Sequence, residues 1–138
     1  MANTETFPPK HKLIDHLSVK ESLKFMLENQ SEVFEIILKS LNQIEEVIDQ
    51  TYITLKNKTE GRLIYAGAGT SARIGIQDGV ELHPTFSWPK KRLGFVIAGG
   101  MESLVNSIEG AEDNVDDAMI QVENLNIRKG DVLIGLAA

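Results

Sequence analysis

The stretch "LIYAGAGTSARIGIQDGVELHPTF", residues 63–86, decides the fold of this chain. It opens as a short apolar run, passes through small residues and continues as a helical segment that reaches a proline. A strand, a glycine turn and a helix in this order form the first part of a β-α unit. The turn, residues 67–71, is therefore expected at the carboxyl end of a strand.

Two further apolar runs repeat the pattern of the first. "RLIYAG" (62–67), "LGFVIAG" (93–99) and "DVLIGLAA" (131–138) are short and are separated by helical segments. Apolar strands that alternate with helices favour a parallel sheet covered on both faces, so we predict a doubly wound α/β fold. Ligands of such sheets bind beyond the carboxyl ends of the strands, which makes the turns after these three runs the candidate sites.

The residues before the sheet predict an arm and a helical extension. Residues 1–17 are interpreted as a flexible arm, and the Ser18–Glu21 segment has the form of a capping box, which predicts a helix start. That helix is expected to end near Glu28 and a second one to begin near Ser31. The predicted domains are the arm, N-terminal helices over 18–58 and the α/β region over 59–138.

The second helix carries an apolar stripe at steps of three and four residues. The opposite side of the helix is acidic and has few cationic residues. This favours packing of the stripe, in a core or at a subunit seam, over membrane binding. The stripe consists of Phe34, Ile37, Leu41, Ile44, Ile48, Tyr52 and Leu55.

Composition excludes several kinds of function. The 138 residues carry a net charge of -6, and the one cationic cluster, at 90–92, is expected to be a solvated loop, so no nucleic-acid partner is predicted. The chain has no cysteine, and His11, His16 and His83 lack the spacing of a metal site, so no metal is predicted. No apolar run approaches the roughly 20 residues that span a bilayer.

The turn "GAGTS", residues 67–71, suits an anion. Small residues allow the backbone to approach a ligand, and Thr70 or Ser71 can cap a helix whose first amide groups are unpaired. The turn lacks the lysine of a P-loop and is too short for the dinucleotide fingerprint. Two interpretations stay open at this point, a phosphate cradle and a plain strand-to-helix corner.

Taken together, five segments resemble the N-acetylmuramic acid 6-phosphate etherases of the sugar isomerase (SIS) domain superfamily. The order and spacing of the segments agree with that family over residues 13–138. The segments are "LIDHLSVKESLKFML" (13–27), "GRLIYAGAGTSARIGIQDGVELHPTF" (61–86), "IAGG" (97–100), "EGAED" (109–113) and "DVLIGLAA" (131–138).

The resemblance implies a cytoplasmic lyase that converts N-acetylmuramic acid 6-phosphate into N-acetylglucosamine 6-phosphate and D-lactate, and no cofactor is predicted. The ether oxygen of a ring-opened sugar lies β to the aldehyde, so loss of the C2 proton expels lactate, and water then adds back. One base and one acid suffice for this chemistry.

The resemblance also assigns residues. Glu81 matches the proton donor to the leaving oxygen, and Glu112 matches the second catalytic position, the base at C2. Substrate and phosphate binding falls on Gly67, Gly69, Thr70, Ser71 and Glu109.

Two departures from the family pattern concern the surroundings of these residues. Ala72 replaces the usual glycine after Thr-Ser, and "GVELHPT" (79–85) replaces "ASECPPT". The glutamate is retained, whereas the shape of its pocket differs. The "EGAED" segment can also be a helix end, with Gly110 as a left-handed cap and Asp113 opening the next helix.

The predicted helix separates the two ends of this site. Ten residues at 1.5 Å each place Ser71 and Glu81 about 15 Å apart, too far for one sugar phosphate to contact both. Either the helix breaks near Gly79 or Glu81 serves a phosphate held by the other subunit of a dimer; we expect the second, and therefore a homodimer.

Two other functions remain open. SIS domains also occur in regulators such as the glucokinase regulatory protein, so the chain can be a sugar-phosphate sensor or an inactive remnant. In the etherases a second phosphate-binding loop follows the strand that matches 131–138. We therefore expect this chain to be a truncated N-terminal half that has little activity unless a C-terminal half complements it.

Overall fold

The structure, a computed structural model, describes residues 14–137. Most of the predicted arm, together with His11 and the turn after Ala138, lies outside this range. Residues Ile14–His16 form a 3-10 turn. The described residues form two units, and the boundary between them lies between Asp49 and Gln50. The predicted domain boundaries, after residues 17 and 58, stay predictions.

Helix α1 (Val19–Lys39) begins at the predicted capping box. The backbone N–H of Ser18 donates to the Glu21 carboxylate at 2.9 Å, and the Glu21 N–H donates back to the Ser18 hydroxyl at 3.4 Å. These two bonds satisfy amide groups that a helix start leaves unpaired. The predicted helix start is confirmed.

The predicted break between Glu28 and Ser31 is wrong, because α1 continues through it. The Asn29 amide donates to the Phe25 carbonyl at 3.0 Å, and the Ser31 hydroxyl donates to the Glu28 carbonyl at 2.6 Å. These polar side chains bond to the preceding turn and do not interrupt it. The break lies instead at Ser40, after which α2 (Leu41–Asn57) begins.

The apolar stripe is mostly exposed. Of its seven residues only Leu55 is buried, and Phe34 is 72% exposed. Its interpretation as core therefore holds for Leu55 and is wrong for the rest, whereas its interpretation as a subunit seam stays a prediction. Across residues 14–137, no helix combines the length and apolarity that a membrane span needs.

The second unit contains an open, three-stranded parallel sheet. Strands β1 (Leu63–Gly67), β2 (Leu93–Ile97) and β3 (Val132–Leu136) coincide with the three apolar runs and lie in the order β2-β1-β3. The register places Gly67 opposite both Ile97 and Leu136, so all three strands end level. The predicted α/β fold with a parallel sheet is confirmed.

Helices α3 (Gly69–Phe86) and α4 (Val115–Leu125) cover opposite faces of this sheet. An ideal Cβ on Gly79 of α3 would lie 3.1 Å from the Tyr65 ring, while one on Gly94 of β2 would lie 3.6 Å from Leu125 of α4. Gly94 pairs with Ile64 of β1 and therefore shares its face of the sheet. Ile64 and Tyr65 are consecutive, so their side chains point to opposite faces. The sheet is doubly wound, as predicted.

Helix α3 packs closely against the sheet because its inner face is small. Ala72, Gly75 and Gly79, spaced by three and four residues, are its buried positions. The rings of Tyr65 and Phe95 stack with centroids 6.1 Å apart, and an ideal Cβ on Gly75 or Gly79 would lie within 3.2 Å of one of them. The Tyr65 hydroxyl donates to the Asp78 carboxylate at 2.7 Å, and burial together with this bond raises the pKa of Tyr65.

An ion pair fixes β3 beside β1 at the end where both strands begin. The Arg62 guanidinium lies 2.6 Å from the Asp131 carboxylate, whose side chain is only 1% exposed. The same carboxylate accepts the backbone N–H of Arg62 at 2.9 Å, and the guanidinium also donates to the Leu125 carbonyl at 2.8 Å. The Arg62 hydrogen bond holds the pKa of Asp131 at about 2, well below its usual value.

We predict that Gly79→Ala destabilises the protein although alanine favours helices by about 0.8–1 kcal/mol. The added Cβ would lie 2.9 Å from Phe95 Cε1, and overpacking of this kind costs about 1–3 kcal/mol. Urea unfolding should therefore show a net loss of about 1 kcal/mol. Gln77→Ala, at an exposed position of α3, is the control and should be neutral; equal stability of both variants would contradict the packing argument.

We predict an acid-sensitive contribution from Asp131. Its folded pKa of about 2 lies below the ordinary value of 3.8, so its stabilisation is complete above pH 4 and disappears as the pH falls toward 2. The shift corresponds to about 2 kcal/mol. Unfolding measured from pH 7 to 2 should show wild type and Asp131→Asn converging below pH 4, whereas a constant gap would refute the linkage.

Candidate functional site

A cleft of about 140 Å³ opens at the carboxyl ends of β1 and β2. These neighbouring strands send their chains to helices on opposite faces of the sheet, which is the arrangement that opens a binding crevice. The Ala98 N–H donates to the Gly67 carbonyl at 3.1 Å and joins the two loops where they start. The cleft is lined by Ala68, Gly69, Arg73, Ala98, Ser103, Asn106, Ser107, Ile108, Glu109, Ala111 and Glu112.

One wall of the cleft is the turn from β1 into α3. The helix begins after Ala68, which makes no side-chain capping bond, so the prediction that Thr70 or Ser71 caps it is wrong. Because α3 already begins at Gly69, both hydroxyl residues lie within the first turn of the helix. Its first amide groups therefore have no hydroxyl cap and are available to an anion.

The opposite wall is the segment from Ala98 to Asn114, which contains two 3-10 turns, Met101–Leu104 and Ala111–Asp113. Gly110 has the predicted left-handed conformation, with φ of 70°. It precedes a 3-10 turn and ends no helix, so the interpretation of "EGAED" as a helix end is wrong. The prediction that Asp113 opens the next helix is wrong. Asn114 caps α4 instead, because its side chain accepts the Asp117 N–H at 3.0 Å.

Two carboxylates stand in the cleft wall. Glu109 and Glu112 both line it, and both are exposed to solvent. The Ser107 hydroxyl contacts the Glu109 carboxylate at 3.4 Å. The structure thus brings two predicted site residues of the 109–113 segment to the same cleft as Gly69.

Other predicted site residues do not line the cleft. Gly67 lies half-buried at the end of β1, where an added Cβ would be 2.7 Å from the Leu136 carbonyl. Thr70 is exposed and Ser71 is half-buried on the first turn of α3. They adjoin the cleft in sequence, and their predicted binding roles stay predictions.

Glu81 lies apart from the other site residues. It is exposed on α3, which is one continuous helix from Gly69 to Phe86, so the alternative of a break near Gly79 is wrong. Twelve residues separate it from Gly69, a rise of about 18 Å along the helix axis. Glu81 and the cleft of the same chain therefore cannot contact one small substrate together.

Sequence reasoning missed Arg73 as a site residue. Its guanidinium lines the cleft and donates to the Ser103 carbonyl from both Nε, at 3.2 Å, and Nη2, at 2.9 Å. Nη2 also donates to the Asn106 carbonyl at 3.0 Å. The available signal was its place four residues, about one helical turn, after Gly69, which keeps a basic side chain near the same strand ends.

The cleft combines unpaired helix amides, one guanidinium and two carboxylates. Amide groups at a helix start suit a phosphate, and carboxyl groups can transfer protons. Residues 14–137 contain no group of three or more His, Asp or Glu side chains arranged to hold a metal ion.

A family model described as the glucokinase regulatory protein N-terminal SIS domain matches residues 43–138. This chain belongs to that family. The matched range contains the sheet, α3, α4 and the whole cleft, so the cleft is part of the SIS domain.

Curated relatives named N-acetylmuramic acid 6-phosphate etherase also match this SIS-domain chain. The relatives from Geobacillus sp. (strain WCH70) and Psychromonas ingrahamii are each 38% identical to this chain over 98% of its length. The aligned region covers 45% of the Geobacillus protein and 44% of the Psychromonas protein. The relative from Francisella tularensis subsp. novicida is 37% identical over 99% of the chain and 46% of its length. The chain thus spans about half the length of these relatives.

Proposed function

We propose that this SIS-domain chain belongs to a lyase that acts on N-acetylmuramic acid 6-phosphate and releases D-lactate. The observation that carries the proposal is the meeting of Glu109 and Glu112 with the start of α3 in one cleft. The name shared by the matched relatives supports the same reaction.

In this proposal the phosphate binds at the start of α3. The backbone N–H groups around Gly69 carry the partial positive charge of the helix terminus, which favours an anion. The hydroxyl groups of Thr70 and Ser71 add hydrogen bonds, and the small residue Gly67 lets the turn approach the ligand. Glu109 contacts the sugar from the opposite wall.

The reaction needs two proton transfers. Glu112 removes the proton from C2 of the ring-opened sugar, the C2=C3 double bond forms and the bond from C3 to the lactyl oxygen breaks. Glu81 gives a proton to that oxygen, which leaves as lactate. Water then adds across the double bond, with hydroxyl at C3 and a proton at C2, to give N-acetylglucosamine 6-phosphate. Each positioned carboxyl group contributes about 10² to 10⁴-fold to the rate.

Glu81 takes part in this scheme only if it comes from a second copy of the chain. Its position on the continuous helix α3 keeps it about 18 Å along the axis from the turn of its own cleft. A symmetric dimer would supply the same glutamate to both clefts, since each copy gives and receives the same surface. We propose a composite site of this kind.

A second function is favoured by the family model. Its description names a regulatory protein, so the cleft can bind a sugar phosphate without turnover and serve as a sensor. The two functions share the phosphate site and differ in the use of the carboxylates. Turnover therefore separates them.

We predict that the chain supports D-lactate release from N-acetylmuramic acid 6-phosphate. The release is assayed with the chain alone and with the chain plus a separately expressed C-terminal half of the Geobacillus relative. Glu112→Gln should lower kcat about 10² to 10⁴-fold, because glutamine cannot accept a proton. Glu123→Gln, an exposed position on α4 outside the cleft, is the matched control and should leave kcat unchanged.

Calorimetric titration with N-acetylglucosamine 6-phosphate accompanies the assay. Binding without lactate release in either preparation would replace the lyase by the sensor. Neither binding nor release would refute both functions.

We predict that two inactive variants restore activity in a hybrid dimer. Copies with Glu81→Gln and copies with Glu112→Gln are given different affinity tags, co-expressed and purified through both tags. A composite site leaves one cleft with both glutamates, so about half of the wild-type activity per dimer should return. Activity no higher than that of either single variant would refute the composite site and the role of Glu81 as proton donor.

A further inference from the structure

We infer that Arg73 is a positioning residue whose guanidinium fixes the segment from Ser103 to Asn106 against α3 and thereby places Glu109 and Glu112 in the cleft. The structural part of this inference is independent of the reaction. Its consequence for catalysis rests on the proposed function.

The hydrogen bonds of Arg73 end on backbone oxygens. Two nitrogens, Nε and Nη2, converge on the Ser103 carbonyl, and Nη2 also reaches the Asn106 carbonyl. Among residues 14–137, the ion pairs are formed by other side chains, and no carboxylate pairs with Arg73. The guanidinium therefore binds the backbone of the loop. Hydrogen bonds from a charged donor are stronger than those from a neutral one.

The held segment is anchored at one end and exposed at the other. Ser103 is 7% exposed, and its hydroxyl donates to the Gly100 carbonyl at 2.7 Å. Residues 105–110 are exposed, so packing does little to fix them. The hydrogen bond from Arg73 to the Asn106 carbonyl holds the first part of this exposed stretch, three residues before Glu109.

A lysine cannot reproduce this arrangement. The planar guanidinium presents donors in a fixed fork, so one side chain binds two carbonyls that lie three residues apart. A lysine retains the charge and offers a single nitrogen on a flexible stem. Arg73→Lys therefore removes the fork and keeps the charge, while Arg73→Gln removes both.

Hydrogen exchange of the purified chain, followed by NMR, tests the structural part without substrate. The Ser103 and Asn106 amides, which donate to Gly100 and Glu102, should exchange about tenfold faster in both variants, because the charged bonds that steady the segment are lost. The amide of Tyr65 in β1 reports global unfolding. Arg128→Gln, which removes an exposed guanidinium bond to the Glu60 carbonyl, is the control.

The outcomes decide the inference in each case. Faster exchange of the loop amides in both variants, with the Tyr65 amide unchanged, supports it. If Arg73→Gln unfolds globally, Arg73→Lys alone decides. Loop exchange that stays at the wild-type rate in a folded variant, or that changes equally in Arg128→Gln, overturns it.

Kinetics test the catalytic consequence. Misplaced glutamates should lower kcat for lactate release at least tenfold in Arg73→Lys, with less than a threefold change in KM, because the retained charge still attracts the substrate. A lysine variant with wild-type kcat would overturn the positioning role in catalysis. If wild type releases no lactate, the proposed function fails, and the exchange result still decides the role of Arg73 in the loop.

Discussion

The close approach of α3 to the sheet is the contact on which the second unit depends. Small residues at positions 72, 75 and 79 let the helix backbone approach the sheet, and at Gly75 and Gly79 it lies against the stacked rings of Tyr65 and Phe95. A helix with larger residues there would stand further from β1 and would carry its first turn away from the strand ends. The spacing of the helix from the sheet therefore also sets one wall of the cleft.

The strand order supplies the other condition for a site. Because β2 and β3 lie on either side of β1, the chain winds first over one face and then over the other. The loops after β1 and β2 diverge, and the cleft lies between them. The same rigid helix that builds this cleft carries Glu81 away from it, so the proposed chemistry depends on how copies of the chain assemble.

The two walls of the cleft are built by different physical means. The α3 wall is regular helix, held by packing against the sheet. The other wall is irregular backbone with left-handed glycines at 99, 100 and 110, and polar side chains hold it. Ser103 and Arg73 bond to its carbonyl groups, and the Gln121 amide bonds to both the N–H and the carbonyl of Ile97 at the end of β2. Irregular loops present side chains in directions that regular elements do not allow.

The sequence by itself determined the elements whose signals are local or periodic. Apolar runs of strand length placed β1, β2 and β3, and the alternation with helices determined the parallel, doubly wound sheet. The reciprocal pairing of Ser18 with Glu21 fixed the start of α1. The family resemblance that the segment "EGAED" helps to carry assigned site roles to Glu109 and Glu112, and both carboxylates line the cleft.

Tertiary structure decided what depends on distance in space. A helix break cannot be read from Asn29 or Ser31 alone, since their side chains can bond within the helix, nor from Gly79, whose missing Cβ makes room for two rings. The role of Arg73 rests on carbonyl groups 30 and 33 residues away, which carry no mark in the sequence. Backbone acceptors are the same at every residue, so only the folded chain determines which of them a side chain meets.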